Sequence, residues 1–344
     1  MKPDRAQDRP PRHARALCGT LALALQALLP GCGEALPPDG DSGARDTAAP
    51  MDTTTPADTT MAPTDTGTPP RDTTVPPADT GRDADRPDTA PAGPTLVVGV
   101  PNALDPATVA HVQEVRRRGV TMGNRPDVFA KIGDSITESR SFLGDIGDGF
   151  YMLGRFSGLQ PTIDFFGRVM LFKGNSFRHP SASATAGWTS DDALAGPLLT
   201  ELSALRPMYA IVMYGTNDID RSNITRYTAN MNRIVDLCEA RGTVVLLSTI
   251  PDRTDGANEG RLALQFNDVL RRLAATRRVP LIDFWQALQP LPRRGLDEDG
   301  IHPNIFRDEG DPQSATFTDE SLRFGYNQRN LTALVMLERI RAIP

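Results

Sequence analysis

The sequence predicts an α/β domain built on a mainly parallel sheet with helices on both faces. Two patterns lead to this prediction. Short apolar runs of strand length alternate along the chain with longer amphipathic helical patterns. The clearer runs are apolar at every position, which is typical of strands buried on both faces of a parallel sheet. A third observation limits the domain to residues 95–344, because the first quarter of the 344-residue chain has a composition that cannot form a core.

The N-terminal segment has the pattern of an export signal. A basic start precedes an apolar run from Ala16 to Leu29, which is too short to span a bilayer and matches the apolar core of a secretory signal. The run ends in "LPGC", which resembles the lipobox of bacterial lipoproteins although Pro30 is unusual there. We therefore expect residues 1–31 to be a lipoprotein signal peptide and Cys32 to carry the lipid. The alternative is an ordinary secreted protein cleaved nearby, which the lack of an A-x-A site disfavours.

This interpretation places the mature protein outside the cytoplasm, anchored to the bacterial cell envelope at the outer membrane or the cell surface. Residues 32–94 then form a tether. They are rich in Pro, Thr and Asp and poor in apolar side chains, so they bury too little surface to offset the entropy of ordering the backbone. Most of the acidity lies here, since residues 37–94 hold 4 Arg and 11 Asp whereas residues 95–344 hold 28 Lys and Arg against 29 Asp and Glu. A nearly neutral domain predicts no nucleic-acid surface.

Cysteine and histidine usage implies no metal or cofactor. The chain has three cysteines, of which Cys18 lies in the leader and Cys32 in the lipobox. Cys238 alone remains in the domain, so no disulfide within the domain is expected, and a helical pattern around it predicts a small buried side chain. No H-E-x-x-H or comparable ligand cluster occurs.

The domain is predicted to contain five strands and several helices. The predicted strands cover residues 128–132, a weak run at 176–182, 210–213, 243–248 and 279–283. The predicted helices are an early one in "DPATVAHVQEVRRRG" and those at 192–204, 224–240, 260–276 and 325–340.

Polar stretches follow several of these strands. They are "GDSIT" from residue 133, "AGWTSDDAL" from 186, "YGTNDID" from 214 and "DEDGIHPN" from 297. In parallel α/β sheets the chemistry lies at the carboxyl ends of the strands. We therefore expect these stretches to meet at one edge of the sheet.

Ser135 is the candidate nucleophile. It follows a strand on a turn in which Gly133 allows close backbone approach, and it opens a helical pattern. The alternative is that Ser135 is only a helix N-cap, a position that serine favours. The G-x-S-x-G motif is absent from the chain, which argues against an α/β-hydrolase.

His302 is the candidate general base. Asp299 lies three residues earlier on a glycine-containing turn, where its carboxylate can accept the Nδ1 proton of the ring and leave Nε2 free to take a proton from Ser135. Asp297 and Glu298 are competing carboxylates, and spacing favours Asp299. The other three histidines of the chain lie in the leader, on a polar helix face and in a strand-like run.

Asn217 and Gly187 are candidate donors to a developing oxyanion. The side-chain amide of Asn217 follows a strand, and the lack of a side chain at Gly187 leaves its N–H accessible. Both residues also have an ordinary interpretation, because Asn tolerates turn conformations and Gly is common in loops.

These four stretches and their order resemble the SGNH (GDSL-type) hydrolase superfamily. The resemblance covers roughly residues 125–342. The "GDSIT", "GTND" and "DGIHP" blocks are specific in combination, and "GWTSDDAL" corresponds to the weakly defined glycine block.

The resemblance implies a flavodoxin-like three-layer α/β/α sandwich with a central parallel sheet of about five strands. It also implies a triad of Ser135, His302 and Asp299. The implied oxyanion hole consists of the N–H groups of Ser135 and Gly187 and the side chain of Asn217.

The sequence therefore predicts an acylesterase whose substrate is a small-molecule or carbohydrate ester. O-acetyl groups on extracellular polysaccharide and short-chain esters fit an exported, nearly neutral domain. Two alternatives stay open at this stage: a non-catalytic carbohydrate-binding module on the cell surface with the same fold, and a sugar O-acyltransferase that uses the same residues.

Overall fold

The computed structural model describes residues 97–344. The leader, Cys32 and the tether lie outside the described residues. Four parallel strands form the central sheet in the order β1-β2-β3-β4, namely Arg125–Gly133, Pro207–Met213, Val244–Ser248 and Leu281–Ile282. A separate antiparallel pair is formed by β5, Arg307–Asp308, and β6, Asp311–Pro312.

The sheet is buried as the apolar runs predict. Every residue of β2 and β3 is buried, and so are the last six residues of β1. The strands pair in parallel, with Ala130 opposite Ala210 and Ala210 opposite Val245. The predicted α/β fold with a parallel central sheet is confirmed.

The helices of the described residues alternate with the strands. In chain order α1 to α11 are Pro106–Thr121, Ser135–Glu138, Gly144–Gly147, Gln160–Gly167, Ser190–Leu194, Pro197–Leu205, Asp218–Arg221, Ile224–Ala240, Ala257–Arg277, Phe284–Leu288 and Gly325–Arg341. Short 3₁₀ turns occur at Gly154–Leu159, Pro292–Gly295 and Ser321–Arg323. No helix in residues 97–344 is long and apolar enough to cross a membrane.

The predicted helix at 192–204 is two helices. The chain breaks between α5 and α6 because Gly196 has a φ of 137° and Pro197 has no N–H with which to continue a helix. A helix therefore restarts at Pro197, a position that proline favours.

The predicted fifth strand at 176–182 is wrong. This segment follows the outer edge of β1, but side chains replace the ladder of backbone hydrogen bonds. The N–H of Phe129 donates to the Ser176 hydroxyl at 3.2 Å, and Lys131 Nζ donates to the Phe177 carbonyl at 2.8 Å. Only Gly133 and Ala184 form a single parallel bridge, at the edge where the flavodoxin-like order places its second strand.

Aromatic side chains fill the space between sheet and helices. The Phe166 ring of α4 meets Phe129 and Tyr209 edge to face, with centroids 5.5 and 5.8 Å apart. On α8 and α9, Tyr227 and Phe266 stack at 4.4 Å. Most of α11 is buried, which makes it the central helix of the packing around the site described next.

Candidate active site

The turn that carries Ser135 admits only glycine at its first position. A Cβ at Gly133 would lie 2.2 Å from the Thr137 hydroxyl oxygen and 2.5 Å from the Met213 carbonyl oxygen, both far inside contact distance. β1 can therefore pass directly into α2, whose first residue is Ser135. The N-cap of α2 is Asp134 and not Ser135, so the capping interpretation of the serine does not hold.

Asp134 is a fully buried carboxylate beside the candidate nucleophile. Its Oδ1 accepts the N–H of Ile136 at 3.0 Å, which caps the short helix. Burial raises the pKa of Asp134 to about 6, against the opposing effect of the Arg329 guanidinium. The carboxyl group is thus held in place by a hydrogen bond, and burial makes its ionisation energetically unfavourable.

The structure brings Ser135, His302 and Asp299 together. Ser135 Oγ lies 2.9 Å from His302 Nε2, and His302 Nδ1 lies 2.5 Å from Asp299 Oδ2. Because an ionised carboxylate can only accept, this arrangement favours the tautomer with the proton on Nδ1. Nε2 then accepts a hydrogen bond from the Ser135 hydroxyl.

Asp299 is the carboxylate that contacts the ring. Burial acts to raise its pKa, but hydrogen bonds from the ring and N–H of His302 and from the N–H of Ile301 outweigh this effect and lower the pKa below its usual value. The neighbouring candidate Asp297 has another contact, since its own carboxylate accepts the N–H of Glu298 at 2.8 Å.

The loop that carries His302 is fixed on two sides. Gly300 has a φ of 71°, and a Cβ there would lie 2.7 Å from the Thr254 hydroxyl, so the turn fits closely against the loop after β3. On the other side, Asn304 accepts hydrogen bonds from the N–H groups of Gly325 at 2.8 Å and Tyr326 at 2.9 Å, at the start of α11.

The same helix α11 also holds α2. Arg329 is fully buried, donates to the Ile136 carbonyl and donates to the Thr137 hydroxyl at 2.8 Å. Its guanidinium lies over the Phe142 ring, 3.7 Å from the centroid. Burial lowers the pKa of Arg329 to about 10. No sequence pattern indicates this role, because a single arginine in a helical pattern resembles any surface position.

Asn217 and Gly187 lie on adjoining loops. Asn217 Nδ2 donates one hydrogen bond to the Trp188 carbonyl at 2.9 Å, which leaves its second N–H for another acceptor. Gly187 has a φ of 79°, a conformation that favours glycine, and no atom lies within 4 Å of the position of a Cβ.

Two further side chains hold the Gly187 loop, and no sequence pattern indicates either of them. Glu138, in the last turn of α2, accepts the N–H of Ala186 at 2.7 Å. Arg221, at the end of α7, donates to the Gly187 carbonyl at 2.7 Å. The loop is therefore bound both to the helix of Ser135 and to the helix that follows Asn217.

Asp218 joins α7 to α5 underneath this loop. It is fully buried and accepts hydrogen bonds from the Ser190 hydroxyl at 2.5 Å and from the Ser190 N–H at 3.1 Å. Burial raises the pKa of Asp218 to about 6, although the Ser190 hydrogen bonds act to lower it.

Residues 97–344 contain no group of three or more His, Cys, Asp or Glu placed to hold a metal ion. Cys238 lies buried on α8 as a free thiol, and burial raises its pKa to about 12. Its environment is that of a small core residue.

Comparison with known proteins identifies the family. The model of the GDSL-like lipase/acylhydrolase family matches residues 132–305, just over half of the chain. The chain belongs to this family. GDSL-like acylhydrolases cleave carboxylic esters, and the protein is therefore a carboxylic ester hydrolase. No curated protein sequence matches the chain.

The solved structures that match the chain include proteins named as lipases, acylhydrolases and esterases. A GDSL-like lipase from Bacteroides thetaiotaomicron is 15% identical, with 67% of this chain and 98% of that chain covered at a TM-score of 0.37. A variant of an acetyl xylan esterase from Geobacillus stearothermophilus is 16% identical, with 62% and 95% covered at 0.42. A lipase/acylhydrolase from Enterococcus faecalis is 19% identical, with 62% and 95% covered at 0.41. At these identities the substrate has to be argued from the residues of this GDSL-like chain itself.

The raised pKa of Asp134 predicts a pH-dependent stability difference between the wild type and Asp134→Asn. Below about pH 3 the carboxyl group is protonated in both the folded and the unfolded chain. Between about pH 4 and pH 6 the unfolded chain ionises this group while the folded chain keeps it protonated, so the wild type loses free energy of unfolding relative to the variant. Above pH 6 the group is ionised in both states and the difference levels off. The expected loss is up to about 3 kcal/mol between pH 3 and pH 7.

Urea unfolding of both proteins across this pH range measures the difference. Asp311→Asn, at an exposed position of β6, is the control for removing a surface carboxylate. A difference between wild type and Asp134→Asn that stays constant with pH would contradict the raised pKa.

Proposed function

We propose that the protein is a serine esterase in which Ser135 is the nucleophile, His302 the general base and Asp299 the carboxylate that orients the ring. The observation that carries the proposal is the 2.9 Å contact between Ser135 Oγ and His302 Nε2 in a ring whose other nitrogen is bound to a carboxylate. This is the geometry that general-base activation of a hydroxyl requires.

The reaction proceeds in two halves. Ser135 Oγ attacks the ester carbonyl carbon while His302 Nε2 takes the hydroxyl proton, and the imidazolium then donates that proton to the departing alkoxide. Water enters, loses a proton to Nε2 and attacks the acyl-enzyme, which releases the acid and restores the serine. Asp299 stays ionised throughout and stabilises the imidazolium.

The oxyanion of each tetrahedral intermediate is proposed to accept hydrogen bonds from the N–H groups of Ser135 and Gly187 and from Asn217 Nδ2. One N–H of Asn217 is used by the Trp188 carbonyl, which orients the amide so that the second can serve the oxyanion. A donor of this kind contributes roughly 3 kcal/mol to the transition state.

We propose that the substrates are O-acetyl groups on extracellular carbohydrate or other short-chain esters. The triad lies at an open rim, since the side chains of His302 and Asp299 are 40% and 45% exposed. An ester that projects from a polymer can reach such a rim, whereas a long acyl chain gains most from an enclosed apolar pocket. The near-neutral charge of residues 95–344 is compatible with an uncharged glycan.

We also propose that the protein is exported and held at the cell envelope by a lipid on Cys32. The support is the basic, apolar and "LPGC" pattern of the leader and the tether-like composition that follows it. A tether of about 60 residues in an extended state would let the domain sample substrate well away from the membrane surface.

Ser135→Ala is expected to lower kcat at least about 1,000-fold, because the remaining groups cannot form an acyl-enzyme. The measurement is hydrolysis of p-nitrophenyl acetate, butyrate and octanoate and of acetylated xylan. Acetate and butyrate should be cleaved faster than octanoate. Ser157→Ala, at an exposed position, is the control.

Unchanged turnover by Ser135→Ala would overturn the nucleophile. Absence of turnover by the wild type on every ester would instead favour a binding module. Acetyl transfer from the donor to an added sugar, in place of free acetate, would favour an acyltransferase.

Glu138→Ala is expected to lower kcat about tenfold and to leave KM within about a factor of two, because it frees the loop that carries the Gly187 N–H without touching bound substrate. Glu138→Gln keeps an acceptor for the Ala186 N–H and should retain most of the activity. Arg221→Met should resemble Glu138→Ala, and Arg233→Met on the exposed face of α8 is the control. Equal activity of the Ala and Gln variants would show that the Ala186 hydrogen bond has no role in catalysis.

Cys32→Ser is expected to abolish incorporation of labelled fatty acid and to release the protein from the membrane fraction of a bacterial host. Cys18→Ser, inside the leader, is the matched control and should leave the protein anchored. If the Cys32 variant stays lipid-labelled and membrane-bound, the anchor is elsewhere.

A further inference from the structure

A cavity lies behind α2, on the side of β1 away from β2. Its volume is about 180 Å³. Its walls come from β1, from α2 with the residues after it, and from the segment that replaces the expected fifth strand. The side chains used in the following argument are Lys131, Thr137, Arg140, Arg178, His179 and Thr185. A regular strand at this edge would fill the space, so the cavity follows directly from the irregular path of residues 176–184.

Lys131 is the buried cation of this cavity. The residue is only 8% exposed, and the one hydrogen bond that the described part of the chain gives its ammonium group goes to the Phe177 carbonyl. An ammonium group has three donors, so two remain for a ligand. Burial lowers the pKa of Lys131 to about 8, and the nearby positive charges of Arg329 and Arg178 add to this effect. The negative charge of Glu201 opposes this lowering from a longer distance, but no carboxylate of residues 97–344 forms an ion pair with the Lys131 ammonium group.

The carboxylates around the cavity have other hydrogen-bond or ion-pair partners. Asp148 is shared by Arg140 and Arg178, at 2.7 and 2.9 Å. Glu138 is exposed at the rim and engaged with the Gly187 loop.

Glu201, the buried acid on the opposite side, binds the N–H of Ala182 through Oε2 and lies 3.8 Å from His179 Nε2 through Oε1. Burial raises the pKa of Glu201, against the opposing effects of the Ala182 N–H, His179 and Lys131, so this acid attracts Lys131 without forming an ion pair with it.

We propose that this cavity binds a small oxyanion, of the size of phosphate, sulfate or a sugar carboxylate, through the Lys131 ammonium and the Arg178 guanidinium. A cavity of about 180 Å³ has room for such a group. Thr137 and Thr185 add hydroxyl groups at the wall. The site is separate from the triad and does not depend on the esterase mechanism.

Anion binding should affect the active site, because α2 and the segment before the Gly187 loop contribute to both the cavity and the site. Thr137 belongs to α2, two residues after Ser135, and also accepts a hydrogen bond from Arg329. Thr185 bonds through its N–H to the Gly133 carbonyl at 3.3 Å and precedes the Gly187 loop. A bound oxyanion would therefore link the two segments that carry the proposed nucleophile and the proposed oxyanion donor.

Titration calorimetry and thermal unfolding of the domain with sodium phosphate, sodium sulfate or sodium glucuronate test the proposal, with sodium chloride at equal ionic strength as reference. We expect a Tm rise of several degrees at saturating oxyanion, since a ligand that binds only the folded state stabilises it. Lys131→Met should abolish the rise. Lys173→Met, which changes the only other lysine of residues 97–344, should retain it.

Arg178→Gln is an independent test that leaves Lys131 and the core unchanged. This variant should bind the oxyanion about tenfold more weakly than the wild type. Binding of phosphate and sulfate without glucuronate identifies a free inorganic anion, and binding of glucuronate identifies the carboxylate of an acidic sugar. The proposal is overturned if none of the three anions binds the wild type, or if both variants bind as tightly as the wild type. Because these readouts are binding and unfolding, they are independent of whether the esterase reaction is found.

Discussion

The charge of Arg329, buried on α11, constrains the geometry of the whole site. A guanidinium taken out of water must find acceptors, and here they are the Ile136 carbonyl and the Thr137 hydroxyl at the end of α2, with the Phe142 ring against its face. The first turn of the same helix binds Asn304, which follows the His302 loop. The helix α11 therefore contacts the segments of both Ser135 and His302, and it positions both partners of the 2.9 Å contact between them.

The architecture could be predicted wherever the local pattern agrees with the global fold. Apolar runs in β1, β2 and β3 are buried on both faces, and burial alone accounts for them. The segment 176–182 also looks like a strand, but it meets β1 through the Ser176 hydroxyl and the Lys131 ammonium, and hydrogen bonding by side chains has no periodic signature. The division between α5 and α6 depends on Gly196 and Pro197, residues whose effect on a helix is local.

The sequence predicts the proposed reacting groups of the candidate site but not the side chains that hold them in place. Ser135, Asn217 and His302 each follow a recognisable strand or turn, and the parallel sheet brings such positions to one edge. Glu138, Arg221 and Arg329 contact backbone groups that are 48, 34 and 193 residues away along the chain. A charged residue in a helix gives no indication of such a partner in one sequence, because solvent and a distant carbonyl satisfy the same donor.

The hydrogen bond between Glu138 and the Ala186 N–H connects the helix of the proposed nucleophile to the loop of the proposed Gly187 donor. A displacement of α2 would therefore act on that loop as well, which limits how far the Ser135 hydroxyl and the Gly187 N–H can move apart.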